Sequence, residues 1–446
     1  LRQAGSTLKP FLYALAFERR NLTPASLIED APLTLDTGNG LYAPQNYEPQ
    51  YRGWVSARTA LAGSLNVPAV KTLYLVGVND AVEVAHSLGI TGIRDPDRVG
   101  LSLVLGGGEV KLIDHVSSYG TLATGGVKHK QAVILRIEDA KGNIIEEYQS
   151  DPGERVVDEK YVAMLDSVMS NNENRAWVFG EQNPLRFDNR QVAAKTGTTN
   201  EFRDGWTIGY TPSLAVGVWA GNNNNSPMAP GADGVNVAAP IWRSFLDKAL
   251  SNYAIEEFPK YNPDDEIGDG DGKTNKPMLA GKLEEKEDVK VCEIPGDKGS
   301  YCLANKYCPD KSVDKKDFIS PHDILRYVNR EDPRGPIPDK PENDTQYKNW
   351  EEGVKKWYKE NKQKGKVSDA PPEDECDKDD FEKYLPKVSL TVPGSVGASL
   401  PLSANIDAPY GTKSVKYTVD GNDAGSGGSY DVSGKNGSSV TVACAL

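Results

Sequence analysis

Long apolar runs are missing from this chain of 446 residues. No stretch approaches the roughly 18 apolar residues of a membrane span, and no secretory signal pattern is visible. Positive charge is not in excess either. The 51 basic residues face 64 acidic ones, a net charge of −13, which argues against non-specific binding to nucleic acid or to anionic lipid. The first 250 residues hold no cysteine; all five lie at Cys292, Cys302, Cys308, Cys376 and Cys444. Their spacing lacks the paired C-x-x-C of a zinc site, so disulfides in an oxidising compartment are the expected use, and an odd count leaves one to pair elsewhere. No metal and no cofactor are expected. Residue 1 is Leu rather than Met, so a fragment or a processed chain is expected.

Apolar residues make up 38% of the chain, enough for real cores but low for one continuous globule. The length fits about three domains. Composition shifts along the chain divide it. Residues 1–255 are Ala-, Gly-, Val- and Leu-rich with regular periodicity and read as a globular domain. Residues 256–290 read as an acidic linker, whose Asp/Gly run only faintly resembles a calcium loop because Lys273 stands where a third Asp or Asn is needed. Residues 291–385 form a Cys-containing accessory module, and 386–446 alternate with period 2 like a small, truncated Ig-like β module. In the accessory module, Ser320-Pro321-His322-Asp323 reads as a helix start. Tyr347, Trp350, Val354, Trp357 and Tyr358 form a stripe at helical spacing, best explained by a helix docking on its neighbour.

In the first domain, residues 6–20 read as a helix capped by Ser6, with Phe11, Leu12, Leu15 and Ala16 on one face and Pro10 tolerable only near its start. Residues 56–76 read as helical on both sides of a break at Asn66–Pro68; 78–88 and 111–123 are further helices. Between 190 and 221 lie three short β-branched runs separated by turns. Helices followed by a strand meander predict an α+β fold, helices packed on an antiparallel sheet.

Three short motifs carry chemistry. Ser6-Thr7-Leu8-Lys9 sets a hydroxyl and an amine three residues apart, on one helix face, so the amine can reach the hydroxyl proton. Ser64-Leu65-Asn66 offers a second hydroxyl and an amide at a helix break. Lys195-Thr196-Gly197-Thr198-Thr199 lies on a predicted strand, where Gly permits close backbone approach. A Ser-x-x-Lys match arises by chance about once or twice in such a length; Ser312–Lys315 and the second Ser-x-Asn at Ser170–Asn172 are decoys of this kind. The contexts of the first trio, helix start, helix break and strand, set it apart.

With these residues in place, GSTLKPF, YAPQNYEPQYRG, ARTALAGSLNVPAVKTLYLVG, LVLGGGEVKLIDHVSSYGTLATGGV, AAKTGTTNEFRDGWTIGYTP and AVGVWAGNN, spread over about residues 1–250, resemble the transpeptidase domain of a class A penicillin-binding protein. VKVCEIPGDKGSYCLANKYCP and SPHDIL resemble the Cys-containing stretch that follows this domain in some members. The resemblance implies a serine D,D-transpeptidase that binds peptidoglycan stem peptides and, covalently, β-lactams. It implies Ser6 as nucleophile, Lys9 as base and Ser64 as proton relay. Asn66 would hold a substrate amide, and Lys195, Thr196, Gly197 and Thr198 the terminal carboxylate and the substrate strand. Backbone N–H groups of Ser6 and Thr198 would form the oxyanion hole. It further implies an extracytoplasmic location, with a membrane anchor, a glycosyltransferase domain and part of the sheet upstream. Their absence would expose a sheet edge and apolar helix faces. The terminal β module is expected to bind wall polysaccharide or protein. A β-lactamase or D,D-carboxypeptidase, and a β-lactam sensor or scaffold, are the rival readings. No deacylating carboxylate stands out; Glu109 and Glu201 lie only near likely loops. No G-x-S-x-G elbow supports a Ser-His-Asp triad, so His86, His115 and His129 are expected to be packed or surface histidines. Trp206 and Trp219 are expected in the core.

Overall fold

The structure is a computed structural model. It describes all residues except 20–21, 38–39, 263–275, 296, 310–311, 364–371, 373, 385–386, 409–413, 436–440 and 446. The Asp/Gly run of the predicted linker therefore lies outside the described residues. Two compact units emerge: Leu1–Glu284 with Pro321–Val367, and Glu285–Ser320 with Ser368–Leu446.

The first unit is built on an antiparallel sheet of β1 (Ala193–Thr198), β2 (Asp204–Thr211) and β3 (Leu214–Gly221). Lys195 pairs with Ile208, Gly197 with Trp206, and Trp206 with Trp219. All eight residues of β2 are buried, so the sheet must be covered on both faces. Alternation along the strands does this. Ala193, Trp206, Ile208 and Tyr210 enter the main core, while Ala194, Val216 and Val218 pack with Trp242 and Leu246 of the helix Ala239–Ala249. The helices-on-sheet expectation holds.

Three local readings are corrected. Ser6 does not cap the first helix. It sits inside a 3-10 turn, Gly5–Leu8, and the α-helix α1 runs Lys9–Glu18 with Pro10 in its first turn, where a missing N–H costs nothing. That helix has no single apolar face either: Lys9–Phe17 are all buried, as in a helix enclosed by its core. The break in the 56–76 region falls at Gly63–Leu65, between helices Ala57–Ala62 and Asn66–Val76, and Pro68 fits the first turn of the second helix. Ser56 caps the helix before the break.

The accessory module also divides differently from the sequence reading. Residues 321–367 fold back onto the first unit. The aromatic stripe of the helix Tyr347–Gln363 is the reason: Trp350, Val354 and Tyr358 are buried, Trp350 packs tilted against Tyr74 and Tyr358 meets Trp54 edge to face. The helix start predicted at Ser320 is a 3-10 turn, Ile324–Arg326, capped by Asp323.

In the second unit, strands Tyr301–Leu303, Glu284–Glu293 and Val313–Ser320 form one sheet in that order. Disulfides Cys292–Cys308 and Cys302–Cys376 surround Phe381 and stand in for an apolar core. Further on, strands Lys387–Thr391, Ser399–Asp407 and Gly428–Asp431 form a second sheet; Asn422–Asp423, Lys416–Val419 and Val442–Ala445 form a third. Both contribute to one small core around Leu400, Leu402, Tyr417 and Val419.

Candidate functional site

The three motifs meet. Ser6, Ser64, Asn66, Thr196, Gly197 and Thr198 line one cleft of about 670 Å³ in the first unit. Lys9 and Lys195 lie buried beneath its floor.

The 3-10 turn that carries Ser6 lies tight against β1. A side chain on Gly197 would sit 2.7 Å from the Ala4 carbonyl oxygen, and one on Gly5, at φ +56°, 2.8 Å from that of Thr198. Both positions therefore require glycine if Ser6 is to lie beside the strand. The Ser64 segment is similarly forced. Ser64 has φ +60°, a left-handed conformation that turns the chain between two helices.

That turn directs three acceptors at Lys9. Its Nζ lies 2.7 Å from Ser64 O, 2.7 Å from Asn66 Oδ1 and 3.1 Å from Leu65 O, all three of which an ammonium serves and two of which a neutral amine serves at a time, and 3.5 Å from Ser64 Oγ. Lys195 Nζ donates to the same Ser64 Oγ at 2.8 Å and to Thr196 O at 2.9 Å. Ser64 thus bridges the two amines. Burial, aided by the charge of Lys195, pulls Lys9 well below the ordinary lysine range. Burial, aided by the Arg175 guanidinium, brings Lys195 down to about 7. A buried lysine with so lowered a pKa is a competent base near neutrality. Thr198 Oγ1 accepts from Gly234 N at 3.1 Å, which leaves its own O–H available to a ligand.

Several contributors were not foreseen. Asn46 supplies the cap that the helix Asn66–Val76 lacks locally. Its Oδ1 accepts from Asn66 N at 2.9 Å and Val67 N at 3.3 Å, while its Nδ2 donates to Asp30 at 2.7 Å. Its segment, YAPQNYEPQYRG, was part of the resemblance, but spacing alone gave Asn46 no role. Arg175 is buried and donates to the carbonyl oxygens of Ala194 and Met169 from behind β1. Of the two carboxylates considered for deacylation, Glu201 lines the cleft but pairs with Arg203, and Glu109 sits on a strand pair opposite Gln3. Among the histidines, His86 bonds the Ile93 carbonyl and His129 faces Asp151 at 3.4 Å. The buried His115 lies behind the turn that carries Ser6, 2.7 Å from Thr7. Trp206 is buried as expected; Trp219 is half-buried and donates to Asp204 at 2.9 Å.

The family description "Penicillin binding protein transpeptidase domain" matches residues 2–247. "Penicillin-binding protein 1A" of Neisseria flavescens is 28% identical over 264 residues, covering 57% of this chain and 32% of that protein. "Penicillin-binding protein 2D" of Bacillus subtilis is 34% identical over 257 residues, 56% of this chain and 36% of that protein. The chain thus spans about a third of the length of these curated relatives. Among solved structures, the PonA1 protein from Mycobacterium tuberculosis in complex with penicillin V superposes with a TM-score of 0.52 at 26% identity, over 58% of this chain and 72% of that one. Penicillin-binding protein 1A from Haemophilus influenzae, 20% identical over 70% of this chain and 49% of that one, shares the fold at a TM-score of 0.52.

Proposed function

The chain belongs to the penicillin binding protein transpeptidase family, and on that premise we propose that it is a peptidoglycan D,D-transpeptidase working through a serine acyl-enzyme. The observation that carries the reading is Ser64 bridging Lys9 and Lys195 in the cleft that Ser6 lines. Ser6 Oγ attacks the carbonyl carbon of a D-Ala-D-Ala end, and Lys9, neutral, takes its proton. Backbone N–H groups of Ser6 and Thr198 receive the oxyanion. The C–N bond breaks, Ser64 relays a proton to the leaving D-Ala, and the amine of a neighbouring stem then takes the acyl group. Lys195, Thr196 and Thr198 hold the terminal carboxylate, Asn66 a substrate amide, and β1 pairs with the substrate backbone. A β-lactam enters the same path and stays on Ser6. The proposal extends to the whole protein: extracytoplasmic, anchored through upstream sequence that also carries a glycosyltransferase domain, with residues 386–446 as a wall- or protein-binding module. Among the described residues no helix is long and apolar enough to cross a membrane.

The test is a labelled penicillin followed by peptide mapping. A long-lived adduct on the peptide that contains Ser6 is expected. An adduct elsewhere, or none, would overturn the assignment; an adduct released within seconds would favour water as acceptor and a β-lactamase.

The two lowered lysines also fix a pH profile. Acylation of the free enzyme is expected to rise with pH as Lys9 loses its proton, then to fall as Lys195, at about 7, loses the charge that holds the carboxylate. Because the groups are coupled, the two limbs belong to the pair. A second-order acylation rate that stays flat across roughly pH 5 to 9 would contradict this.

A further inference from the structure

Thr7, next to the nucleophile, is fully buried, and so is the His115 ring that faces it from the helix Leu112–Ala123. The Thr7 hydroxyl donates to the Ala4 carbonyl at 2.6 Å. Its oxygen is then the acceptor towards His115 Nε2, 2.7 Å away. That assigns the tautomer: Nε2 carries the proton, and Nδ1, also buried, has no hydrogen-bond partner. Phe11, Tyr119 and Trp206 surround the ring at centroid distances of 5.5 to 5.9 Å. One turn further on the same helix, Tyr119 donates to the Thr7 carbonyl at 2.8 Å. One helix therefore holds both the side chain and the carbonyl of Thr7, in a turn that has no side-chain cap of its own.

A buried imidazole with one nitrogen unpaired is poor core material; an aliphatic residue would fill the space without that cost. Burial keeps the ring neutral, its pKa pushed down to about 3, so it is a fixed donor rather than a proton carrier. We infer that His115 is a positioning residue for Ser6: its Nε2–H, through the Thr7 hydroxyl and the Ala4 carbonyl, sets the pitch of the turn that aims the nucleophile at the bound carbonyl. The inference rests on the reading of Ser6 as nucleophile. It acts on orientation, so it belongs in the chemical step and not in the affinity of the cleft.

The experiment measures the limiting acylation rate and the half-saturation concentration separately, with a labelled penicillin, on the whole chain. His115→Leu is expected to lower the limiting rate about tenfold to a hundredfold, with half-saturation within about twofold of wild type. His115→Gln, whose amide N–H reaches the same place, is expected to recover most of the rate. Thr7→Val, which keeps the shape and removes the hydroxyl, is expected to match His115→Leu, and the double variant to be no slower than either single one. A wild-type rate in His115→Leu, a fall carried by half-saturation, a Gln variant no faster than Leu, or additive losses would each overturn the inference. If His115→Leu does not fold, Thr7→Val and His115→Gln decide. A wild-type chain that forms no adduct on Ser6 would instead remove the nucleophile reading, and this inference with it.

Discussion

Lys9→Met is expected to slow acylation by a labelled penicillin about 10³-fold, the scale of a lost general base. Lys9→Arg is expected to fall as far. Arginine keeps the positive charge but does not deprotonate in proteins, so the pair separates a base from a mere electrostatic stabiliser. A Lys9→Arg variant within tenfold of wild type would exclude Lys9 as the base. Stability supplies an independent check. Lys9 is pulled well below its ordinary range by burial and by Lys195. Between that lowered value and the roughly 10.4 of an unfolded lysine, the unfolded chain binds more protons than the native one. Native stability therefore rises with pH across that window. Methionine has no such dependence. It spares the cost of stripping a proton from a lysine on burial, which helps, but leaves Ser64 O, Leu65 O and Asn66 Oδ1 without their donor, which harms. Whatever the balance at neutral pH, the difference must move in favour of wild type as pH climbs towards about 10. Denaturation midpoints at several pH values read it directly, and a pH-independent difference would mean that Lys9 is not perturbed in the native state.

What could be read from the sequence was local. Helix Leu112–Ala123, the three strands and the Ser-x-x-Lys, Ser-x-Asn and Lys-Thr-Gly trio each declare themselves within a few residues, through periodicity, turn chemistry and motif spacing. Boundaries were misplaced where tertiary geometry overrode local preference. The helix break fell at Gly63–Leu65 because Ser64 adopts a left-handed turn that aims three acceptors at Lys9, and no local signal favours that conformation in serine. Asn46, Arg175 and His115 were given no role because their partners are distant in sequence: Asn46 meets Asn66, Arg175 meets Ala194, and His115 meets Thr7 across 108 positions. Such pairings follow from the fold and cannot be inferred before it. The return of residues 321–367 to the first unit was half legible. The stripe of Trp350, Val354 and Tyr358 announced a docking helix, but its receiving surface, Trp54 and Tyr74, lies some 270 to 300 residues earlier.

That docked segment carries the largest expected effect on stability. Lys71, on the helix Asn66–Val76, is buried with Glu29 at 3.2 Å and Asp323 at 2.5 Å. Burial opposes its charge, but Asp323 and then Glu29 outweigh it and its pKa is raised. Burial and the Asp323 charge push Glu29 well up, against the pull of Lys71. Of the two acids around the Lys71 cation, Glu29 is thus the one driven towards its neutral form. Lys71→Met leaves Asp323 a buried carboxylate with no counter-charge in the cluster, the situation in which breaking a buried pair costs about 3–5 kcal/mol. Asp323→Asn is expected to cost less, because Glu29 can then ionise and take over the pairing. The order of the two variants is the informative result: equal losses would mean that Glu29 does not substitute. The pH dependence has a definite sign. In Lys71→Met, Glu29, already pushed well up by burial, loses the opposing pull of Lys71, so the native state binds more protons than the unfolded one above about pH 4, and the variant loses stability as pH rises. Its deficit against wild type should therefore shrink on acidification. Limited proteolysis should show residues 321–367 cut first in Lys71→Met, since Asp323 caps the turn that begins the segment and its backbone N–H donates to Glu351 at 3.0 Å within it. Because the same helix begins at Asn66, which holds Lys9, the variant should also acylate more slowly. That loss should be reversed at the acid pH that restores stability only as far as Lys9 stays deprotonated, which keeps the structural effect distinct from the chemical one.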